Sequence, residues 1–492
     1  MERDGGSQNI DSPDSPRRIA GNILTRMANE ILQIVRALVI LPFISRLFGA
    51  AAYGIWSQIG VTIALFLPIL SLRLESALVR YTAGLPTAKE KAQAIFSALL
   101  ATLVIGSSML ITGLVLRQPL AIAMFASSEL SIYAVLFLGL LFARSGLSVT
   151  LAYHRAHSRI TFYTLVQGGL ALLELLAMLI SAWIAKSSFE TAILAVLAID
   201  VLVFLAIVVD ILRRERRVSF SLPLLAKLLR YSLPLVPAIA LAWVVSASDR
   251  YVIVHYWGLA QSGTYSAAYR MAQILGLFGH PILFVLFPLT ATLWDKKEQA
   301  RAGKYLSDAV RWFAILAIPG TAGLAAIGAL SIQLIGGGAF VTSDLLIALL
   351  AISELLMGVS LIYSLALYLQ EKTWIQPFLF LTIGGLNLGL NLLWIPHLGI
   401  LGAAISTCLC RLVQVVVVAA IARRLVDAPL PWAVIVKASI ASIAVYLIAA
   451  LLPFTGMVGL IIRVLAGAAT YGVLAVGLGI VRRGDFNSLR HR

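Results

Sequence analysis

Apolar stretches of about 20 residues recur from end to end of this 492-residue chain, and they fix its environment before any motif does. A helix rises 1.5 Å per residue, so each stretch is long enough to cross the ~30 Å hydrocarbon layer of a bilayer. The hydropathy pattern predicts fourteen of them between residues 19 and 480. Hydrophobic residues make up 60% of the chain and charged residues only 12%. A water-soluble fold has no polar exterior large enough to cover that much apolar surface. The expected class is an all-α polytopic membrane protein, with no extramembrane segment long enough for a catalytic domain.

Charge orients the spans. Lys and Arg number 38 against 22 Asp and Glu, a formal net charge of +16. With both termini in the cytoplasm, the inner connectors and tails hold most of the basic residues. Arg213, Arg214, Arg216, Arg217, Lys227 and Arg230 fill one inner linker, and Lys296, Lys297, Arg301, Lys304 and Arg311 another. The outer connectors hold five, Arg46, Arg117, Lys186, Arg250 and Arg463, while Arg26, Arg36, Arg270 and Arg411 fall within spans. This asymmetry follows the positive-inside rule, so the basic excess reports topology and contact with anionic lipid, not nucleic acid. The expected location is an inner (cytoplasmic) membrane, crossed many times with both termini inside. Residues 1–18 and 482–492 read as cytoplasmic tails, the first lacking the apolar core of a signal peptide. Cys408 and Cys410 point about 200° apart on a helix, which excludes a disulfide or a metal pair. The chain has no zinc-ligand spacing, no phosphate-binding glycine loop followed by Lys and no nucleophile–base pair. No cofactor and no metal are expected, and the chain does not read as an enzyme.

One pattern occurs twice. "FGAAAYGIWS" at 48–57 and "WGLAQSGTYS" at 257–266 both read aromatic-Gly-four residues-Gly-x-aromatic-Ser, offset by 209 residues (257 − 48). Each falls at a predicted outer turn, between spans 1 and 2 and between spans 7 and 8. Basic stretches follow both, "TAKEKAQ" from Thr87 and "WDKKEQAR" from Trp294. The chain therefore divides into a first six-helix lobe over 19–212, a basic cytoplasmic linker over 213–230, a second lobe over 231–424 and a terminal helix pair over 425–481. Each lobe has an even number of crossings, so the two share one orientation and form a parallel repeat about the membrane normal. That is a transporter architecture.

"RLFGAAAYGIWSQ", "ASDRYVIVHYWGLAQSGTYSAAYRMA" and "WIPHLGILGAAIST" resemble the signature stretches of bacterial polysaccharide transport proteins. Those are the O-antigen and exopolysaccharide flippases of the multidrug/oligosaccharidyl-lipid/polysaccharide exporter superfamily. The resemblance covers helices 1 to 12, and the last pair is similar to members with fourteen helices. It implies a fold like that of the drug exporters and the lipid II flippases. It also implies export of an undecaprenyl-pyrophosphate-linked oligosaccharide for surface polysaccharide synthesis, in partnership with a polysaccharide polymerase and export machinery. The basic residues of helix 1 depart from the spacing expected of the lipid II flippases, so no site residue is carried over from them.

The candidate site rests on polar stripes. Arg26, Asn29, Glu30, Gln33 and Arg36 share an arc of roughly 120° on the first span, opposite an apolar face. A charge facing lipid costs about 3 kcal/mol on insertion scales, so the stripe must face protein or water. Arg26 and Glu30 are four apart and can neutralise each other, whereas Arg36 has no carboxylate within a turn of its own helix. Helix 8 repeats the pattern with Ser266, Tyr269, Arg270, Gln273 and His280, and helix 5 with Tyr163, Gln167, Glu174 and Ser181. The expectation is a cationic central cavity worked by alternating access. Its arginines would take the pyrophosphate and its amides and phenols the sugar hydroxyls. Glu30, Glu174 and Asp249 are the candidates for coupling to H+ or Na+. A drug/cation antiporter on the same fold is the alternative, and it would need a more acidic cavity. A membrane glycosyltransferase or polymerase would need a larger outer loop than "RQPLAIAMFASSE".

Overall fold

Every regular element among the described residues of the computed structural model is helical. The structure describes residues 16–481 apart from 83, 86, 158, 186, 187 and 216–218, and apart from the side chains at 16–31, 34, 38, 88, 182, 184, 185, 280 and 284. The first elements are α1 (Pro16–Leu70), α2 (Leu74–Thr82), α3 (Ala88–Val115), α4 (Arg117–Phe125), α5 (Ser131–Ala156) and α6 (Ile160–Ala185). Next come α7 (Phe189–Arg214), α8 (Leu222–Ser232), α9 (Leu235–Ala272), α10 (Gly276–Asp295) and α11 (Gln299–Gly336). The chain closes with α12 (Asp344–Leu369), α13 (Ile375–Leu398), α14 (Ile400–Val426), α15 (Trp432–Leu451) and α16 (Gly456–Gly477).

Twelve helical runs among the described residues are long and apolar enough to cross a membrane. Two of them hide a break. Gly49 in α1 (φ 85°, ψ 174°) and Gly258 in α9 (φ 80°, ψ 176°) leave the helical region. Only glycine adopts that conformation without strain, and an added Cβ at either position meets open space, so conformation and not crowding requires it. Dividing the two runs at these glycines gives fourteen spans (12 + 2), the number the hydropathy predicts.

The chain forms two compact units. Among the described residues the first comprises 16–40, 66–116 and 135–236. Its core joins Ala94 and Ile95 of α3, Leu147 and Leu151 of α5, and Phe204 and Ile207 of α7 to the short helices α2 and α8. The linker predicted over 213–230 is partly helical. In α8, Leu225 and Leu228 are buried while Lys227 and Arg230 stay exposed, the division of an amphipathic interfacial helix. Ser97 Oγ accepts from the Ser221 amide at 2.8 Å, and Lys227 Nζ lies 5.3 Å above the Tyr81 ring.

Among the described residues the second unit comprises 41–65, 117–134 and 237–481, with a core of Leu306, Phe313, Ile362, Tyr363, Val418 and Ala422. Within it the two copies of the repeated motif meet. A Cβ on Gly54 would strike the Leu259 carbonyl, and one on Gly263 would strike the Ala50 carbonyl, so the two backbones touch through paired glycines. Three residues on, Ser57 donates to its counterpart Ser266 at 2.7 Å. Equivalent residues in contact are the signature of a two-fold relation. Arg46 donates from Nη2 and Nε to the carbonyls of Leu334 (2.5 Å) and Ile335 (3.0 Å), capping the end of α11. Trp257 Nε1 caps α13 through the Ile395 carbonyl at 2.8 Å.

Gly54→Ala and Gly263→Ala should each destabilise the protein by roughly 1–3 kcal/mol or more, because two main chains have to part. Gly60→Ala, which adds a Cβ in open space on the same helix, should leave stability unchanged or slightly raised. Thermal unfolding in detergent checks this, and equal behaviour of Gly54→Ala and Gly60→Ala would contradict the close crossing.

Candidate functional site

Four charged side chains from four helices converge in the first unit. Asp200 on α7 is fully buried and Glu174 on α6 is 3% exposed. Arg144 on α5 bridges them, donating from Nε to Asp200 Oδ2 at 2.8 Å and from Nη2 to Glu174 Oε1 at 3.0 Å. Arg36 on α1 pairs through Nη2 with the other Glu174 oxygen, and its Nη1 donates to Gln33 Oε1 at 3.5 Å. Two guanidiniums and two carboxylates balance, which is how four charges coexist inside apolar helices.

Their depths differ. The carboxylate side chains are 4% and 0% exposed, whereas those of Arg36 and Arg144 are 18% and 23% exposed. Arg36, Arg144 and Glu174 line a cavity of about 370 Å³ together with Gln33, Ser148 and Gln167. The carboxylates thus lie beneath the guanidiniums and hold their planes in place. The cavity receives donors: Nη1 of Arg144 has no partner among the described residues. Each of the two arginines is tethered to an acid.

Of the residues predicted from sequence, Gln33, Arg36, Gln167 and Glu174 come together here. Arg26, Asn29, Glu30 and His280 have side chains outside the described residues. Tyr163 lies elsewhere, under Arg155 at 5.2 Å, and Ser181 donates to its own helix at Met178. Arg144 and Asp200 were missed. Each is the one charge in the middle of its span, so a search for stripes of several charged or amide residues on one helix passes over it. The signal was the solitary charge itself, which no span carries without a partner.

The helix 8 residues belong to the second unit and do different work. Tyr269 is 5% exposed, with the Arg250 guanidinium 4.6 Å above its ring, and Ser266 is consumed by Ser57. Arg250, expected in an outer connector, is buried: Nη1 donates to Asp249 Oδ1 at 3.1 Å and to the Ser246 carbonyl at 3.0 Å. Tyr265 donates its hydroxyl to the second Asp249 oxygen at 2.5 Å. Asp249 is therefore engaged on both oxygens. Arg270 is exposed and donates to Gln273 Oε1 at 3.1 Å, in the turn that follows α9. Asn391 donates to Asn387 at 2.9 Å, one turn away, and Cys408 and Cys410 are free thiols. Among the described residues no cluster of His, Cys, Asp or Glu is arranged to hold a metal ion.

Removing one partner of this network strands a buried charge, at a cost of about 3–5 kcal/mol. Arg144→Gln should therefore destabilise strongly in thermal unfolding, and Asp200→Asn in the same chain should recover part of the loss. Simple additivity of the two substitutions would contradict the coupling.

The polysaccharide biosynthesis protein family model matches residues 43–343, more than half of the chain. The chain is 26% identical over 239 residues to the probable flippase AglR of Haloferax volcanii, covering 47% of this chain and 50% of that one. It thus spans about half the length of that curated relative. In structure it resembles the lipid II flippase MurJ in an inward closed conformation, with a TM-score of 0.76 and 16% identity over 93% of this chain and 98% of that one. It also resembles an inward-facing MATE family transporter of the MOP superfamily, with a TM-score of 0.65 and 16% identity over 81% and 95% of the two chains. The chain belongs to the polysaccharide biosynthesis protein family, built on the multi-pass helical fold that MurJ and the MATE transporters share.

Proposed function

We propose that this protein is a flippase, not an enzyme, and that it carries an undecaprenyl-pyrophosphate-linked oligosaccharide across the cytoplasmic membrane for surface polysaccharide synthesis. The observation that carries the reading is the cavity where Arg36 and Arg144 stand over Glu174 and Asp200. A planar guanidinium donates two parallel hydrogen bonds to a phosphate, and carboxylates that already hold its plane spare the entropy of ordering it. Gln33, Gln167 and Ser148 on the same wall suit sugar hydroxyls. The polyprenyl tail stays in lipid.

The same geometry suggests the coupling. An incoming pyrophosphate and the two carboxylates compete for the same guanidiniums. Taking up H+ or Na+ at Glu174 or Asp200 frees the arginines for substrate, and losing it restores the internal pairs and releases the load. Asp249, engaged by Arg250 and Tyr265, drops behind Glu174 as a carrier. In this reading the lobes of residues 19–212 and 231–424 rock in alternating access. The Lys and Arg distribution puts both termini and the 213–230 linker in the cytoplasm, and a polymerase receives the exported unit. The buried acids favour one competing reading, a MATE-like cation antiporter.

Deleting the gene should abolish a surface polysaccharide while lipid-linked units accumulate in the inner leaflet. Normal polymer with altered resistance to cationic drugs would support the antiporter instead. In the complemented strain, export per inserted molecule should fall about tenfold or more for Arg36→Gln, as expected for the loss of a charge-assisted hydrogen bond, and less for Arg36→Lys. Full export by Arg36→Gln would remove Arg36 from the binding role.

A further inference from the structure

We propose that the second unit carries a site for an anionic glycerophospholipid, with its phosphate on Arg463 and an acyl chain in the cavity between α11 and α16. The proposal is independent of the transported substrate. The cavity measures about 410 Å³, and its apolar wall consists of Phe278, Pro319, glycines and aliphatic side chains, Val445 and Ala449 of α15 among them. Leu316 on one wall is 46% exposed and Val464 on the other 49%, so it opens on the apolar flank of the helices, where a lipid chain has direct access.

Two polar side chains line it, Arg463 and Tyr471, both on α16. Arg463 Nε and the Tyr471 hydroxyl are buried, and neither has a hydrogen-bond partner among the described residues. No carboxylate lines the cavity. Arg keeps its proton under all ordinary conditions, so neutralisation by proton loss is closed to it. Arg463, expected in an outer connector, lies within α16, and a guanidinium there with no acid lining its cavity calls for an anion from elsewhere. The rest of the lining is apolar and the cavity opens on the apolar flank of the helices, which favours an amphiphile over a hydrated inorganic anion as its filling. An amphiphile with one negative charge and a hydrocarbon chain satisfies the cation and the aliphatic wall together.

Position supports the assignment. Arg463 lies seven residues, about 10 Å, into α16 from Gly456, and helical side chains lean toward the N-terminus. Its guanidinium is therefore carried toward the headgroup layer, while Gly467, one turn further in, leaves room for a chain to descend. The pairing also explains why α16 can keep an arginine amid apolar residues. The lipid completes the seam between α11 and α16.

The test uses the full-length protein, delipidated in a mild detergent and then exposed to equimolar dioleoyl phosphatidylglycerol and dioleoyl phosphatidylcholine. Native mass spectrometry should show one phosphatidylglycerol retained at least tenfold over phosphatidylcholine. Arg463→Gln should abolish that preference, and Arg463→Lys should keep part of it. Gly323→Leu is the second arm: a side chain there grows into open space in the cavity while Arg463 stays in place, so the adduct should vanish with the protein still folded. Equal retention of the two lipids by the wild type would overturn the proposal. So would an undiminished phosphatidylglycerol adduct in Gly323→Leu, or displacement of the phospholipid by equimolar undecaprenyl phosphate.

Discussion

Inside a bilayer a charge must find its counter-charge in the protein or in a lipid, because the solvent supplies none. The interior of this protein is organised by that demand. In the first unit Arg36 and Arg144 are set against Glu174 and Asp200, and in the second Arg250 is held by Asp249 and the rings of Tyr265 and Tyr269. The two sites differ in what they leave over. Arg250 is 6% exposed and its acid is engaged on both oxygens, so that network closes on itself and stiffens the helices. The first network keeps its acids at the bottom and its guanidiniums at the surface of a cavity. Balance makes it stable in hydrocarbon; the difference in depth leaves the guanidiniums accessible from the cavity.

The repeat works on the same molecule by other means. Paired glycines bring two main chains together, and a serine–serine hydrogen bond joins equivalent positions 209 residues apart. In a medium that offers no hydrophobic drive between helices, small residues and interhelical hydrogen bonds are the available adhesives. The Arg250 network sits directly on this crossing, since Ser266 accepts from Arg250 Nε at 3.3 Å and from Ser57 as well. The first copy of the repeat has Ile40 and Leu41 where the second has Asp249 and Arg250. The charge pair is therefore an addition to one copy, on a contact that the glycines and serines already define.

Much of this was legible in the sequence. Span number followed from hydropathy, and the glycine breaks followed from the repeated motif, because a residue that must adopt positive φ leaves a recognisable letter. Arg36 and Glu174 were singled out, each by a stripe on its own helix. Their pairing was not, because no spacing rule connects residues on α1 and α6. Arg144 and Asp200 were invisible for a related reason: each is the one charge in the middle of its span, with at most serines or threonines beside it, and its charged partner lies on another helix. Tyr269 and Ser266 failed in the opposite sense. They share a face with Arg270, but that face is used for packing, and helical periodicity does not distinguish a wall from a seam.

The most direct measurement is transbilayer movement of a defined undecaprenyl-pyrophosphate-linked oligosaccharide in liposomes containing only the purified protein. A membrane-impermeant glycosidase added outside reports how much substrate reaches the outer leaflet. Wild-type protein should move the substrate in the presence of a proton or sodium gradient, and Arg144→Gln/Asp200→Asn, which removes one of the two competing guanidiniums while Arg36 and Glu174 stay balanced, should move it about tenfold more slowly or worse. Movement at the wild-type rate by that double variant, or no movement by the wild type with either gradient imposed, would contradict this reading.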